Sequence, residues 1–88
     1  MADLREKLRQ IAELMEPVTE DNTVPRNIRR AVSEAREKIL SEGDTSVNIA
    51  TAIYKLDDIS NDINMPFHTR TELWGIVSEL EKLKEEIK

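Results

Sequence analysis

Charged side chains gather around two proline-containing turns of this 88-residue chain. This candidate charged pole consists of Glu16, Arg29, Asp57, Asp58, Asp62 and Arg70. The first interpretation is structural, because the planar guanidinium groups of Arg29 and Arg70 suit pairing with carboxylates at partly buried helix margins. Arginines beside helix N-termini could instead bind an anion or phosphate, and the carboxylates could hold a divalent cation. The sequence leaves these three interpretations open.

Other residue types that perform chemistry are scarce, since the chain has one histidine and no cysteine. His68 is expected to project away from the core, which favours a solvated side chain over a general base. The sequence contains no nucleophile–base pair, no glycine-rich phosphate loop and no metal-ligand cluster. We therefore predict no catalytic residue, no cofactor and no metal, and a protein that is not an enzyme. Catalysis by carboxylates alone stays open.

Arg26 and Arg30 form a small basic group that faces away from the predicted core. They are candidate phosphate contacts, and they motivate an alternative function as an accessory factor for RNA or a ribonucleoprotein. The net charge of −5 opposes nonspecific binding to nucleic acid. RNA is therefore the alternative partner, and protein the preferred one.

An internal repeat indicates which elements position these groups. Residues 21–29 match residues 62–70 in an alignment that superimposes Pro25 on Pro66, and positions paired by this alignment are called equivalent. Apolar residues beyond the two stretches match in the same alignment; examples are Met15 with Leu56, Val32 with Leu73 and Ile39 with Leu80. A repeat of about 40 residues with helical spacing is typical of a helix–turn–helix unit that occurs twice.

Apolar spacing and capping residues predict four helices. The first runs from about Asp3 to Glu16 or a little beyond, and Pro17, near its end, is expected to end or kink it. Thr23 is expected to cap the second helix, which has Pro25 in its first turn and stops near Gly43.

The third helix is expected to begin within residues 44–46, and its apolar stripe extends toward Ile63. Asn64 and Pro66 are then expected to begin the fourth helix as Thr23 and Pro25 begin the second. Short connections favour antiparallel neighbours.

The predicted fold is all-α: an antiparallel up-down-up-down four-helix bundle made of two pseudo-repeated helical hairpins, in a single helical domain over residues 1–88. Two stacked solenoid hairpins are the alternative, although such arrays usually need about three repeats.

The fourth helix carries more apolar surface than one core-facing stripe requires. Phe67 and Trp74 share one edge and Leu83 extends the other, so the apolar arc spans about 200° against about 100° for a surface helix. Either this helix is the most buried, with Trp74 packed on the third helix, or Phe67, Trp74 and Leu83 form a partner surface. Gly75 predicts a close approach by a neighbouring group.

The preferred function is a non-enzymatic helical protein–protein interaction or scaffold module. Its simplest partner is a second copy of itself, in a homodimer through the fourth helix. The sequence has neither the apolar run of a signal peptide nor the roughly 20 apolar residues that span a bilayer. We therefore expect a cytoplasmic protein without a membrane partner.

Residues 23–31 (TVPRNIRRA), 58–62 (DISND) and 64–66 (NMP) resemble the signature stretches of a small archaeal family of uncharacterised proteins. The resemblance covers nearly the whole chain. It implies a four-helix bundle and a cytoplasmic archaeal protein, and it implies no activity.

Overall fold

The structure, a computed structural model, describes residues 3–87 and contains four α-helices. They are α1 (Leu4–Glu20), α2 (Arg26–Leu40), α3 (Thr45–Ile59) and α4 (Phe67–Glu86). No strand occurs within residues 3–87. The prediction of an all-α protein with four helices is confirmed.

Aspartate side chains begin α1 and α3. Asp3 Oδ1 accepts a hydrogen bond from the backbone N–H of Glu6 at 2.8 Å, and Asp44 Oδ1 accepts one from Val47 at 3.2 Å. These bonds satisfy amides that the first turn of a helix leaves without an intrahelical partner. The predicted start of the third helix, within residues 44–46, agrees with the structure.

Prolines, rather than Thr23 and Asn64, occupy the N-cap positions of α2 and α4. The predicted caps are wrong because the side chains of Asp21 and Asp62 organise both turns. The Asp21 carboxylate accepts from the backbone N–H of Thr23 at 2.9 Å, and that of Asp62 accepts from Asn64 at 2.8 Å. Thr23 and Asn64 therefore lie inside Asx turns, one residue before the valine or methionine that precedes each proline.

Pro17 does not end α1, which continues through it to Glu20. A proline lacks the N–H that would bond to the carbonyl four residues earlier, here that of Glu13. Both Glu13 and Pro17 are exposed, so water can solvate that carbonyl, while buried Val18 holds the last turn against the core. At the other boundary, α2 ends at Leu40, three residues before Gly43, whose φ of 110° only glycine adopts easily.

All four helices contribute to one apolar core. Its fully buried members include Met15 and Val18 of α1, Ile28, Val32 and Ile39 of α2, Ile49 and Leu56 of α3, and Leu73 and Leu80 of α4. Each helix packs against two others, so that contacts run from α1 to α2, α3, α4 and back to α1. These residues are the apolar stripe that helical periodicity predicts.

Side-chain hydrogen bonds join the two loops that contain Pro25 and Pro66. His68 Nε2 lies 2.9 Å from Asp21 Oδ2, and Asn27 Nδ2 donates to Asp62 Oδ2 at 3.1 Å. The loop after α1 therefore contacts the start of α4, and the loop after α3 contacts the start of α2. Within residues 3–87, no helix is both long and apolar enough to cross a bilayer.

Candidate functional site

Two hydrogen-bonded aspartates organise the loops at which the charged pole was predicted. Asp21 accepts from the Thr23 hydroxyl at 2.6 Å, in addition to the backbone of Thr23 and the ring of His68. The hydrogen bond from His68, followed by those from Thr23, lowers the pKa of Asp21 from 3.8 to about 2. His68, predicted to be a solvated side chain, is thus a partner of Asp21.

Asp62, in the loop between α3 and α4, has a similar set of hydrogen-bond partners. The backbone N–H of Asn64 and then the side chain of Asn27 lower its pKa, and the positive charge of Arg70 contributes. Hydrogen bonds to a carboxylate favour its charged form. Both aspartates therefore stay ionised at neutral pH and act as fixed acceptors for their loops.

The predicted pairing of Arg29 and Arg70 with carboxylates is wrong. Arg29 Nε donates to the main-chain carbonyl of Val24 at 3.0 Å. Arg70 donates to the carbonyl of Ser60 and, at 3.0 Å, to that of Asp62. Within the part of the chain that the structure describes, the carbonyls of Val24 and Ser60 accept no backbone hydrogen bond, so the two guanidinium groups supply their donors. The Asp62 carbonyl also accepts from the backbone N–H of Met65 at 3.2 Å, so Arg70 is its second donor.

The remaining acids of the charged pole do not converge. Glu16 lies 3.8 Å from Arg36, an arginine outside the predicted set, and Arg36 also donates to the Ala12 carbonyl at 3.0 Å. Asp57 and Asp58 are exposed. Within residues 3–87, no three acidic or histidine side chains lie close enough together to hold a metal ion. The divalent-ion interpretation is therefore not supported.

Arg26 and Arg30, the candidate phosphate contacts, are exposed on α2. Arg9 of α1 lies beside the opposite end of α2, near Ile39 and Leu40, and is engaged with Glu6 at 3.4 Å. Binding to RNA stays a prediction that rests on these two side chains. An RNA titration at low salt tests it, and an absence of binding there contradicts it.

An apolar strip of three exposed residues, Ile63, Phe67 and Trp74, extends from the loop between α3 and α4 along α4. Their relative exposures are 92%, 83% and 62%. Leu83, the third predicted member of the partner surface, is 3% exposed and belongs to the core. It lies on the opposite edge of the helix from Trp74, and that edge packs against the other helices.

Trp74 is 62% exposed and lies outside the core, which favours the second of the two alternatives, a partner surface, over full burial against the third helix. One side of the indole borders a shallow cavity together with Leu56, Asp57 and Ser60, and most of it faces solvent. Ile63 was placed on the apolar stripe of the third helix, but α3 ends at Ile59 and Ile63 lies in the following loop. The predicted partner surface thus loses Leu83 and gains Ile63.

No neighbouring backbone or side chain packs closely against Gly75. A Cβ built on Gly75 would meet no atom within 4 Å, and the residue is exposed on α4. The glycine was predicted to admit a neighbouring backbone or side chain, and that prediction is wrong. Its missing side chain instead widens the space between α4 and α1.

Residues 1–83 of the chain match the model of an uncharacterised protein family, UPF0147. The chain belongs to this family. A UPF0147 protein of Methanocaldococcus jannaschii is 54% identical over 80 residues, which cover 90% of this chain and 86% of that protein. A UPF0147 protein of Pyrococcus abyssi is 44% identical over 86 residues, which cover 96% of this chain and 100% of that protein. The resemblance to an archaeal family of uncharacterised proteins is confirmed.

Solved structures share the fold of this UPF0147 chain. The crystal structure of a protein of unknown function superposes with a TM-score of 0.87 at 51% identity, covering 92% of this chain and 93% of that one. The crystal structure of a UPF0147 protein from Thermoplasma acidophilum superposes with a TM-score of 0.81 at 33% identity, covering 88% and 92%. These similarities identify the family and its fold and assign no activity.

Proposed function

We propose that the chain is a duplicated helical hairpin, folded as an up-down-up-down bundle in one domain over residues 1–88. In the repeat alignment Asp21 and Asp62 are equivalent, and so are Asn27 and His68. Asp21 contacts His68 and Asp62 contacts Asn27, so the two halves exchange equivalent contacts, as units related by a two-fold axis do. The radius of gyration of 12.4 Å supports one compact domain, for which about 12 Å is expected.

The function we propose for this bundle is non-enzymatic protein–protein interaction, with self-association through the apolar strip of Ile63, Phe67 and Trp74. The strip combines two features of interface anchors, large apolar area and an aromatic side chain on a rigid helix. It lies on the side of α4 that the core does not use. A cytoplasmic location remains part of the proposal.

An internal comparison carries this proposal. In the repeat alignment, Ile63, Phe67 and Trp74 correspond to three polar residues of the first hairpin, namely Asn22, Arg26 and Ser33. The hairpin fold therefore tolerates polar residues at all three positions, as expected for positions that face solvent. Since folding does not require apolar residues there, their presence in the second hairpin is better explained by a partner.

The expected affinity is modest. Complete burial of one large apolar side chain contributes about 1.5–3 kcal/mol. Three such side chains from each subunit compete with an association cost of about 4–15 kcal/mol. The surplus is only a few kcal/mol, so a dimer with a dissociation constant in the high-micromolar to millimolar range is expected. A weak dimer of this kind is populated at high protein concentration and dissociates on dilution.

Sedimentation equilibrium of the wild type and of Trp74→Ala tests self-association. The wild type is expected to dimerise with increasing concentration, and Trp74→Ala to remain largely monomeric. Tyr54→Ala is the matched control, because Tyr54 on α3 is an aromatic residue of similar exposure, 74%, outside the strip. A wild type that stays monomeric up to millimolar concentration would overturn the homodimer, and equal weakening by both variants would overturn the role of the strip.

A further inference from the structure

A groove runs between α1 and α4, which contact each other less extensively than any other pair of neighbouring helices. Leu14 and Pro17 of α1 line it, together with Gly75 and Ile76 of α4. A second cavity along the same two helices shares Leu14 and Glu79 with the first. The two cavities therefore form one continuous groove, here called the α1–α4 groove.

The contact between α2 and α3 is the counterpart of this groove in the repeat alignment, and it is the most extensive contact between two helices within residues 3–87. There Lys55 Nζ lies 3.5 Å from Glu34 Oε1. Leu14 is equivalent to Lys55, and Gly75 is equivalent to Glu34. An ion pair that bridges two helices in one half of the molecule is thus replaced by a leucine and a glycine in the other half.

Neither replacement is required by folding. A Cβ at Gly75 would meet no atom within 4 Å, and a glycine inside a helix is less favourable than almost any other residue. Leu14 is 54% exposed, so it is not needed to fill the core. Together the two residues create an apolar groove in place of a polar contact that the same fold makes elsewhere.

Acidic side chains surround the half of the groove that lies near Pro17. Its lining includes Glu13, Glu72 and Glu79, and it includes no lysine, arginine or histidine. The other half has mixed charge, with Lys7 and Lys82 beside Glu79 and Glu86, so the acidic character is confined to the half near Pro17. Glu13, Glu72 and Glu79 are exposed and make no ion pair within residues 3–87. Their charges favour an occupant that carries positive charge.

We propose that the α1–α4 groove binds a basic amphipathic helical segment of another protein. The apolar face of the segment packs on Leu14 and Gly75, and its lysine or arginine residues face Glu13, Glu72 and Glu79. The acidic half follows α4 from Thr71 to Glu79, about 12 Å, so it accommodates the basic part of the segment over about two helical turns. A second copy of this chain fits less well, because its net charge of −5 repels the acidic rim.

The inference extends the proposed interaction role to a second surface and does not depend on self-association through the apolar strip. Trp74 lies on the ridge of α4 rather than in the lining of the α1–α4 groove. A substitution that disrupts the apolar strip should therefore leave the α1–α4 groove intact. Trp74→Ala is expected to remove dimerisation and to leave binding in the groove unchanged.

The probe is a fluorescein-labelled peptide of about 14 residues, with leucines at helical spacing on one face and lysines beside them. We expect fluorescence anisotropy to show binding that weakens with salt. The decisive variant is Leu14→Lys with Gly75→Glu, which copies the Glu34–Lys55 pair into the groove and leaves the net charge unchanged. It is expected to stay folded by circular dichroism and to weaken binding at least about tenfold.

Two controls separate the groove from general charge attraction. Leu40→Lys with Ser46→Glu introduces the same two charged residues at exposed positions outside the groove, and it should bind like the wild type. A peptide of the same composition, rearranged so that its leucines do not share one face, should bind at least about tenfold more weakly.

Replacing the rim carboxylates tests the charge that selects the partner. The triple variant Glu13→Gln, Glu72→Gln and Glu79→Gln should bind the basic peptide several-fold more weakly and lose most of the salt dependence. Absence of binding by the wild type, equal binding by the groove-closing variant, or equal binding of a peptide with glutamate in place of lysine would each overturn the proposal.

Discussion

The two proline turns of this protein share a backbone design and differ in the side chains around it. In both, an aspartate carboxylate accepts the N–H two residues later, and the proline carbonyl accepts from the first turn of the following helix. Yet the exposed Asn22 and Arg26 of the first turn correspond to Ile63 and Phe67 of the second. The shared features are those that the chain reversal needs, and the differences identify surface that is free for another role.

Arg29 and Arg70, each four residues after a proline, offer the sharpest test of this comparison. Arg70→Met should reduce the free energy of unfolding by about 2 kcal/mol, because the Ser60 carbonyl loses its charged donor and the Asp62 carbonyl keeps only the bond from Met65. Arg29→Met should cost about 1 kcal/mol, since Arg29 donates to one carbonyl. Urea denaturation measures both, with exposed Arg30→Met as the control. A loss for Arg29→Met that equals or exceeds that for Arg70→Met would contradict the assigned bonds.

A buried threonine in the second hairpin corresponds to an isoleucine in the first. Thr69 and Ile28 are equivalent and both buried, but Thr69 Oγ1 has no hydrogen-bond partner within residues 3–87. Thr69→Val should raise the free energy of unfolding by about 1 kcal/mol, because the unpaired hydroxyl is removed at nearly constant volume. Ile28→Thr should lower it. If chemical denaturation shows Thr69→Val to be destabilising, the hydroxyl has a partner in solution.

Gly75 and its equivalent Glu34 allow the α1–α4 contact to be compared with the α2–α3 contact. Gly75→Ala should stabilise the protein by about 0.5–1 kcal/mol, since alanine is the better helix former and its methyl group meets no neighbour. Glu34→Gly should destabilise it by a similar amount and also remove the ion pair with Lys55. Thermal unfolding measures both changes. A destabilising Gly75→Ala would mean that the position is more crowded than the open space around it indicates.

The contribution of Asp21 to the free energy of unfolding does not change around neutral pH and decreases only in acid. Because the pKa of Asp21 is lower in the folded protein than its ordinary value of 3.8, its contribution to stability is complete above about pH 4 and is lost as the pH falls toward about 2. Asp21→Asn should therefore flatten the acid limb of a stability–pH curve. Asp58→Asn is the control, and equal flattening by the control would contradict the role of the His68 contact.

Local sequence patterns were sufficient for the helices and the core and insufficient for the site. Apolar periodicity placed Met15, Ile28 and Leu56 in the core, because helical spacing alone decides which face is apolar. The same periodicity could not decide that Leu83 is buried and Trp74 exposed, since that depends on where the neighbouring helices lie. The acceptors of Arg29 and Arg70 were missed because the sequence does not show which main-chain carbonyls lie within reach of each guanidinium group.

The repeat also contains information about exposure that helical periodicity does not use. Ile63 matches Asn22, and a polar residue at an equivalent position indicates exposure, so comparison of the two copies could have identified Ile63 as a surface residue. For Pro17, comparison of the two copies does not indicate that the helix continues through the proline. Its tolerance inside α1 depends on solvent reaching the carbonyl of Glu13, which becomes evident only when the helices are packed.

The most direct test transfers the surface of the first hairpin to the second. A variant that combines Ile63→Asn, Phe67→Arg and Trp74→Ser carries the residues that the first hairpin has at equivalent positions. Sedimentation equilibrium up to millimolar concentration, with helix content checked by circular dichroism, should give a folded monomer for this variant and a dimer for the wild type. The same oligomeric state for both proteins would contradict the account.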